Sequence, residues 1–471
     1  MTSPSILDLP HNEDCLPLLA LLSSMPLPVI LESNRGSQDS GTVAISQNSD
    51  DHRFTIVCAD PVASLIVSTA ISTDVIFNKI RALQKKHLSI DEPLSPALAE
   101  LPFQGGIAGF LGYPKISNRA ELQVSNGFLG VYHWAVVVDH SLARTRLVFH
   151  PNCSKATKEK LHTLLAHCGS DLGPELHKQT GEKFSLRGKF QPQTSYNNYK
   201  QAFEKIKNYI LKGDCYQVNL TQKFTSRCTG SPFDAFSKLR VASPAPFSAF
   251  IQWPGGALIS LSPERFMRNQ QGHLETKPIK GTRARSADAM TDKKQINQLV
   301  NSTKDKAENL MIVDLLRNDL GRVCETGSIK VPDLFSLKTY SNVHHLVSTV
   351  TGTLRANFDS IDMLRACFPG GSITGAPKLR AMEIIEEVEE SNRGPYCGSV
   401  FYWAASGDFD SNITIRTLQW RSSATEATGT SNTDIIECWA GGGIVADSDC
   451  ESEYQECFDK VQNLITTLES L

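Results

Sequence analysis

The chain has 471 residues, of which 40% are hydrophobic and 21% are charged, so it can form one large core or several ordinary ones. Its formal net charge is only -3 and its pI is near 6.5, which excludes a strong overall attraction to nucleic acid or to an anionic membrane. Small molecules and other proteins are the expected partners.

The apolar segment 16–31 follows acidic rather than basic residues and is interrupted by prolines. This pattern excludes a signal peptide or a membrane span. The 12 cysteines include no C-x-x-C pair, which favours reduced thiols over a zinc ribbon or a disulfide framework. We therefore expect a cytoplasmic protein.

Roughly the first 150 residues alternate short apolar segments with loops rich in Gly, Ser and Asn, a pattern typical of strands. The predicted strands are PLPVILES, RFTIVCADP, GGIAGFLGY, LGVYHWAVVVDH and TRLVFHP. The polar segment 171–194 is predicted to link this N-terminal region, residues 1–170, to a second region, residues 195–468.

The second region begins with a predicted helix whose apolar residues recur at helical spacing from Tyr199 to Ile210 and which ends near Gly213. Further predicted helices are ADAMTDKKQINQLV, TKDKAENLMIVDLLRNDL, PKLRAMEIIEEVEE and ESEYQECFDKVQNLITTL. Predicted strands are CYQVNLTQKF, SIKVPDL, HHLVSTVTGTL, YCGSVFYWA, NITIRTLQW and IIECWAGG, and RSSATEATGTSNTD is predicted to be a hairpin loop. Because strands and helices do not alternate strictly, we expect an α+β fold with largely antiparallel sheets.

Two glycine-rich segments do not match nucleotide-binding motifs. GGIAGFLGY lacks the G-x-G-x-x-G spacing, and FPGGSITGAPK lacks the Gly-Lys-Ser/Thr of a Walker loop. The second segment leads into a helix near Pro377, whose free N–H groups favour an anion such as a carboxylate. A plain loop with proline in the first helical turn is an equally good interpretation.

Acidic residues on two predicted helices suggest a cation site. Glu453, Glu456 and Lys460 share one helix face, and Glu308 precedes a strongly apolar segment of another helix. Two carboxylates from separate helices suit Mg²⁺, which usually also keeps waters and a substrate anion. Taken singly, each glutamate is more often solvated.

The segment TKPIKGTRAR places Lys280 between a Pro-Ile step and a Gly-Thr turn. A lysine in a loop is most often a solvated cation. A lysine held in a desolvated site can instead stay neutral and act as a nucleophile. The local sequence alone leaves both interpretations open.

A longer set of motifs resembles the chorismate-utilising enzymes, and within them the aminodeoxychorismate synthase branch. The motifs are GDCYQVNLTQKF, SPAPFSAF, LSPERF, KPIKGTRAR, AENLMIVDLLRNDLGRV, VHHLVSTVTG, FPGGSITGAPKLRAMEII, NITIRT and AGGGIVADSDCESEYQEC. They occur in the family's order, and PVILES and GGIAGFLGY match more loosely. The resemblance implies an antiparallel β-sandwich with helices packed outside it.

The resemblance also implies how chorismate is held. Glu308 and Glu456 match the family's Mg²⁺ ligands, with Glu453 as a nearby carboxylate. The positions that match substrate-binding residues are Arg416, Lys460, Tyr396, Ser372, Gly281, Thr282 and the backbone of Gly441, Gly442 and Gly443. Cations and N–H groups are what the two carboxylates of chorismate require.

Two residues match catalytic positions. Glu264 of SPERF matches the general acid that protonates the departing C4 hydroxyl, a role that needs a pKa raised by burial. Lys280 matches the lysine that attacks the ring at C2 in aminodeoxychorismate synthases, where the motif is PIKGT. Anthranilate synthases have PIAGT and therefore no amine at this position.

Gln217 of YQVNL matches the glutamine of family members that use ammonia, whereas members that activate water tend to have lysine there. His345 matches a histidine near the substrate, and a hydrogen-bonded core histidine is the alternative. The sequence has no Gly-flanked Cys elbow, so the resemblance implies a separate glutamine amidotransferase subunit that supplies ammonia.

A second pocket is implied by ILES and SPAPFSAF, which resemble the two segments that form a tryptophan pocket in relatives. The candidates are Ser33, Arg53, Phe54, Pro246, Phe247 and Ser248. Ordinary sandwich core is an equally good interpretation.

Three functions therefore stay open. The first is aminodeoxychorismate synthesis, the second is anthranilate synthesis, and the third is a catalytically silent regulator that binds tryptophan. The presence of Glu264, Glu308, Glu456 and Lys280 together argues against the regulator.

Overall fold

The computed structural model describes residues 6–12, 14–33, 53–90, 94–116, 121–165, 182–340, 343–423 and 433–471. The strands of the N-terminal part are β1 (Ile6–Leu9), β2 (Val29–Glu32), β3 (Phe54–Cys58), β4 (Ala63–Val67), β5 (Ile71–Ser72), β6 (Gly106–Leu111), β7 (Lys115–Ile116), β8 (Leu122–Val124), β9 (Gly127–Tyr132), β10 (Trp134–Asp139) and β11 (Arg144–Phe149). They are followed by β12 (Ser185–Leu186), β13 (Gln191–Pro192), β14 (Gln217–Thr229), β15 (Phe247–Trp253), β16 (Gly256–Ser262), β17 (Arg265–Gln270), β18 (His273–Thr276), β19 (Ile279–Ala284), β20 (Lys330–Thr339), β21 (Val343–Thr353), β22 (Gly375–Ala376), β23 (Ser399–Ala404), β24 (Phe409–Asn412), β25 (Thr417–Arg421) and β26 (Asp434–Ile444).

The helices are α1 (Leu16–Ser23), α2 (Thr73–His87), α3 (Pro96–Ala99), α4 (Lys155–Leu165), α5 (Tyr196–Leu211), α6 (Pro232–Ala242), α7 (Ala289–Val300), α8 (Thr303–Gly321), α9 (Ser360–Cys367), α10 (Lys378–Val388) and α11 (Cys450–Glu469). In the parts of the chain that the structure describes, no helix is both long enough and apolar enough to cross a lipid bilayer. The cysteines of these same parts are all free thiols.

Two large antiparallel sheets form the centre of the molecule. Within the described residues, the first sheet has the strand order β1-β11-β10-β3-β2-β15-β16-β25-β26-β14-β12, with β13 and β22 also paired to β14. The second has the order β19-β21-β18-β17-β24-β23-β6-β9-β4, with β20 paired to β21, and a small third sheet has the order β5-β8-β7. The predicted α+β fold with largely antiparallel sheets is confirmed.

Three apolar cores hold the two sheets and the helices together in layers. One core lies between the two sheets and includes Val29, Phe110, Phe128 and Leu258. A second core covers the outer face of the first sheet with α1, α4, α5, α6, α10 and α11. A third covers the second sheet with α2, α8 and α9. Each sheet is thus buried on both faces, which is why its central strands read as continuous apolar segments.

Helix ends follow their capping residues. Ser195, Ser302 and Asp449 accept backbone N–H bonds at the starts of α5, α8 and α11. Asp359 and Asp362 form a capping box at the start of α9. Pro377 was predicted in the first turn of α10, but it occupies the N-cap. It is preceded by a 3-10 turn, Gly371–Ile373, rather than by an open loop.

One predicted strand needs correction. The segment NITIRTLQW was predicted to be one strand, but β24 ends at Asn412 and β25 begins at Thr417, and Arg416 between them has a φ of +49° that no regular strand permits. The described part of the predicted linker 171–194 contains β12 and β13, which pair with β14. The division into residues 1–170 and 195–468 stays a prediction, and both large sheets take strands from both regions.

Candidate active site

A β-bulge in β19 sets the direction of the Lys280 side chain. The register between β19 and β21 shifts between Ile279 and Thr282, so β19 has one extra residue there. Gly281 supplies the required backbone with a φ of +83°, and a Cβ at this position would lie 2.9 Å from Leu299 Cδ1. A bulge turns a side chain away from the regular alternation of a strand. The Lys-Gly pair of PIKGT therefore explains how the side chain of a strand residue turns towards Ser372.

Glu264 lies in the short connection between β16 and β17 and is 5% exposed. Its backbone N–H donates to Ser262 Oγ at 3.2 Å, which fixes the turn. Burial raises the pKa of the Glu264 carboxyl, and the charge of Lys280, the Ser372 hydroxyl and the Ile279 backbone N–H oppose this rise. A carboxyl with a raised pKa in a cleft is suited to donate a proton.

Ser372 connects these two groups. Its hydroxyl donates to Glu264 Oε1 at 2.9 Å, and its carbonyl oxygen accepts a hydrogen bond from Lys280 Nζ at 2.9 Å. The residue lies in the 3-10 turn Gly371–Ile373, so one rigid turn holds the predicted acid and the predicted nucleophile. The structure thus brings Ser372 to two residues that lie 92 and 108 positions earlier in the sequence.

Burial lowers the pKa of the Lys280 amine, and the positive charge of Lys460 acts in the same direction. The carboxylates of Glu264, Glu308 and Glu456 oppose this effect. The residue as a whole is partly exposed. A lowered pKa is a property that a nucleophilic lysine needs.

The predicted metal ligands lie on α8 and α11. Burial raises the pKa of Glu308, and the negative charge of Glu456 adds to this rise. Burial also raises the pKa of Glu453, whose Oε1 accepts a hydrogen bond from Ser448 Oγ at 2.8 Å. The negative charge of Glu456 disfavours the charged form of Glu308, so a hard cation bound between these two carboxylates would be stabilising.

No group of three or more His, Cys, Asp and Glu side chains in the described residues is close enough to hold a metal ion by itself. Mg²⁺ usually takes one or two carboxylates, with the remaining positions filled by water and substrate. Glu308 and Glu456 fit that incomplete donor set. In the structure Lys460 Nζ lies 2.6 Å from Glu456 Oε1 and also donates to Gly441 O at 2.9 Å.

Two of the three predicted backbone glycines of β26, Gly442 and Gly443, lie against other predicted site residues. A Cβ at Gly442 would lie 2.7 Å from Glu453 Oε2, and one at Gly443 would lie 2.7 Å from Gln217 Nε2. A Cβ at Gly441 would lie 2.3 Å from Leu220 O. The side chains of Glu453 and Gln217 therefore pack directly against the backbone of Gly442 and Gly443. Gln217 is fully buried and its Oε1 has no hydrogen-bond partner in the described structure.

His345 and Arg416 lie close enough to influence one another. Burial and then the charge of Arg416 lower the pKa of His345 to about 4, so the imidazole is neutral near neutral pH. Its Nδ1 lies 2.8 Å from Thr282 Oγ1 across β19 and β21. Burial lowers the pKa of Arg416, whose guanidinium makes no hydrogen bond or ion pair to other described residues. A partly buried cation without a carboxylate partner among the described residues suits an anionic ligand.

Tyr396 is 5% exposed and its ring is stacked on Trp439 with centroids 6.5 Å apart. It follows Arg393, a buried residue that the sequence analysis did not single out. Arg393 Nη2 pairs with Glu389 Oε1 at 2.7 Å, and Nη1 donates to Ile373 O at 2.9 Å, one residue from Ser372. The only signal in the sequence is the i, i+4 spacing of Glu389 and Arg393, which is also common on solvated helices.

Five of the six predicted tryptophan-pocket residues line one cavity between the two sheets, with about 570 Å³ of empty space that is partly open to solvent. They are Ser33, Phe54, Pro246, Phe247 and Ser248. Arg53 does not line this cavity, because it pairs with Asp139 at 2.9 Å and its guanidinium lies over the Phe54 ring. Arg265 and Asp410 also line this cavity, and they form an ion pair with each other.

The sequence profile of the family described as chorismate binding enzyme matches residues 42–466. The chain is 40% identical to aminodeoxychorismate synthase component 1 of Klebsiella aerogenes, with 100% of both chains covered. It is 34% identical to anthranilate synthase component 1 of Aquifex aeolicus, with 83% of this chain and 79% of that one covered.

Among solved structures, anthranilate synthase component I from Streptococcus pneumoniae TIGR4 is similar at a TM-score of 0.71 and 28% identity. The similarity covers 92% of this chain and 95% of that one. The fold and the site define a chorismate-binding enzyme of the antiparallel-sandwich type. The chain therefore belongs to the chorismate binding enzyme family.

Proposed function

We propose that this protein is component I of an aminodeoxychorismate synthase, which converts chorismate and ammonia to 4-amino-4-deoxychorismate. The observation that carries the proposal is the arrangement of Lys280 and Glu264 on the two sides of Ser372. The full-length relative at 40% identity, whose name gives this activity, supports it. The product would serve para-aminobenzoate and folate synthesis after a further enzyme has acted on it.

The first step uses both catalytic residues. The neutral amine of Lys280 adds to C2 of the ring, both double bonds of the ring diene shift by one position, and the C4 oxygen leaves. Glu264 gives its proton to that oxygen, so that water departs rather than hydroxide. The amine's extra proton goes to solvent or to a nearby carboxylate. The raised pKa of Glu264 and the lowered pKa of Lys280 support these roles.

The second step reverses the direction of attack. Ammonia adds at C4, both double bonds shift back, and the C2 bond to the Lys280 nitrogen breaks. The attacking ammonia loses a proton and the departing Lys280 nitrogen gains one, so the amine is regenerated for another cycle. Gln217, buried beside Gly443 with an unsatisfied Oε1, would accept a hydrogen bond from the incoming ammonia.

Substrate binding depends on charge. Arg416 and Lys460 would receive the substrate's carboxylates, together with the Ser372 turn and the backbone of β26 near Gly442. Tyr396 and His345 would form the neutral wall of the site. The neutral state of His345 matters because a second cation beside Arg416 would destabilise both groups.

Glu308 and Glu456 would hold Mg²⁺, with Glu453 orienting the site through its contact with Gly442. The cation would neutralise a substrate carboxylate that otherwise faces two glutamates.

Ammonia would come from glutamine through a separate amidotransferase subunit, as the name "component 1" of the relatives suggests. The cavity between the sheets would bind tryptophan, because it combines aromatic walls with the paired charges of Arg265 and Asp410.

Incubation of the purified protein with chorismate, Mg²⁺ and an ammonium salt tests the proposal. We expect a product that keeps the enolpyruvyl group, with no pyruvate released. Anthranilate and an equivalent of pyruvate would mean anthranilate synthesis instead, and the absence of any turnover would favour the tryptophan-binding regulator. Lys280 favours the first outcome, because an anthranilate synthase needs no amine at this position.

A further inference from the structure

Arg393 and Glu389 form an ion pair that is enclosed by the protein. Arg393 is 4% exposed, and it donates to Glu389 through both Nη2, at 2.7 Å, and Nε, at 2.9 Å. The ring of Tyr113 lies 4.6 Å from the guanidinium carbon. Removing two charges from water is costly, so a pair of this kind needs further hydrogen bonds to be maintained.

Those hydrogen bonds come from the edge of β14. Arg393 Nη2 donates to Asn219 O at 3.0 Å, and Thr221 N donates to Glu389 Oε1 at 2.9 Å. On this edge β22 pairs only with residues 217–218, and β13 pairs only with residues 224–225. The ion pair thus takes the place of a neighbouring strand where β14 has none, and it satisfies backbone groups that would otherwise be buried and unpaired.

The remaining guanidinium nitrogen, Nη1, contacts the active site. Arg393 Nη1 donates to Ile373 O at 2.9 Å, in the 3-10 turn that also contains Ser372. Ile373 is the neighbour of the residue that contacts Lys280 and Glu264. One planar group therefore joins the edge of the first sheet, the end of α10 and the catalytic turn.

We propose that Arg393, oriented by Glu389, is a positioning residue that fixes the turn Gly371–Ile373 against β14 so that Ser372 faces Lys280 and Glu264 at once. The proposal rests on the function proposed above, because the roles of Lys280 and Glu264 come from it. Only an arginine fits, since its planar fork donates in three directions. A lysine could neutralise Glu389, but a single ammonium cannot reach Asn219 O and Ile373 O with the same geometry.

The substitution Arg393→Lys tests this role with ammonia as the nitrogen donor. We expect kcat to fall on the order of 10- to 100-fold, because small displacements of reacting groups cost this much. The KM for chorismate should change less than kcat, because Arg416, between β24 and β25, and Lys460, on α11, bind the substrate independently of this turn. Loss of folded protein would also lower the apparent kcat at an unchanged KM, so kcat is referred to the folded fraction of each variant, measured by its circular dichroism unfolding curve.

Arg240→Lys is the matched control, because Arg240 forms another buried pair with a glutamate, Glu32, between α6 and β2. We expect it to lower the unfolding temperature without changing kcat. If Arg393→Lys does not fold, the double variant Arg393→Met with Glu389→Met replaces the ion pair by apolar side chains, which proteins often tolerate. We expect the double variant to lose kcat in the same way.

The outcomes separate the two proposals. A wild-type protein that makes no aminodeoxychorismate contradicts the proposed function. A wild-type protein that makes it, combined with a folded Arg393→Lys or double variant whose kcat stays within about threefold of wild type, contradicts only the positioning role.

Discussion

Lys280 Nζ donates a 2.9 Å hydrogen bond to the carbonyl oxygen of Ser372, the residue whose hydroxyl donates to Glu264. The proposed nucleophile and the proposed acid are therefore both hydrogen-bonded to one residue in a short 3-10 turn. Bond formation by one and proton donation by the other must be coordinated at ring positions C2 and C4. A shared anchor holds both at a fixed separation, which is the geometric requirement for such a reaction.

The Lys280 amine should form a covalent intermediate that can be trapped. Incubation with chorismate and Mg²⁺, without ammonia, should leave a fraction of the protein heavier by the mass of chorismate minus water. The added mass should map by peptide mass spectrometry to the segment 276–285. Lys280→Ala should form no adduct and little aminodeoxychorismate. Lys280→Arg should also form no adduct, because a guanidinium stays protonated and cannot attack the ring.

Glu264→Gln serves as a second control, because the attack and the loss of the hydroxyl are coupled and an amide cannot supply the proton. All variants should keep the wild-type circular dichroism spectrum. If Lys280→Ala made the same product at the wild-type rate, ammonia would attack the ring directly and Lys280 would be a loop cation.

The local structure around Lys280 could be predicted from the sequence. The Lys-Gly order of KPIKGT predicts a tight turn, and the structure turns it into a bulge because Gly281 alone tolerates a φ of +83°. The antiparallel sheets could be predicted from the short apolar segments, because sandwich strands buried on both faces lack polar interruptions. Helix boundaries were also accessible where a Ser or Asp cap precedes an apolar periodicity.

The long-range part of the site was not accessible from the sequence. Arg393 bonds to Asn219, which lies 174 residues earlier, and nothing in either segment indicates the other. Arg53 shows the same limit, because its partner Asp139 lies 86 residues away and draws it out of the cavity wall. Side-chain pairs between distant strands are decided by sheet order, which local patterns do not encode.

Removal of divalent cations should abolish turnover, and Mg²⁺ should restore it. Without the cation, Glu308 and Glu456 would face the substrate carboxylate as like charges. Glu308→Gln and Glu456→Gln should each raise the Mg²⁺ concentration for half-maximal activity by at least about tenfold. Glu469→Gln, at an exposed position of α11, is the matched control. Full activity in excess chelator would disprove this assignment.

The nitrogen donor should be ammonia rather than glutamine for the isolated chain. At a fixed total ammonium concentration, the rate should rise with pH above neutrality, because more of the nucleophile is then present as NH₃. Glutamine should give no product until an amidotransferase subunit is added. The measurement is product formation by liquid chromatography with each donor. Glutamine-dependent activity of the chain alone would mean that it contains a glutaminase site.

The cavity between the sheets should bind tryptophan, as measured by isothermal titration calorimetry. Ser248 is 2% exposed and lines the cavity, so Ser248→Leu should fill part of it and weaken binding by at least about tenfold. Lys280→Ala should bind tryptophan as the wild type does, because Lys280 does not line this cavity. Equal binding by Ser248→Leu would place tryptophan elsewhere.

The stability of the protein should fall as the pH is lowered from about 6.5 towards 4, partly because of His150. This residue is fully buried and stacked on His133 with ring centroids 5.2 Å apart, and its Nδ1 accepts a 3.1 Å hydrogen bond from the Asn152 N–H. An accepting Nδ1 must be unprotonated. Burial and then the charge of His133 lower the pKa of His150 from 6.5 to about 4.

A histidine whose pKa is lower in the folded state binds its proton first in the unfolded chain. Its stabilising contribution is therefore complete above pH 6.5 and is lost as the pH falls through this range to about 4. The loss corresponds to roughly 3 kcal/mol of the free energy of unfolding. Urea unfolding of wild type and His150→Phe between pH 7 and pH 4 measures it, since phenylalanine keeps the stacking but cannot take a proton. The stability difference between the two proteins should shift in favour of the variant as the pH falls, and a constant difference would show that His150 does not titrate in this range.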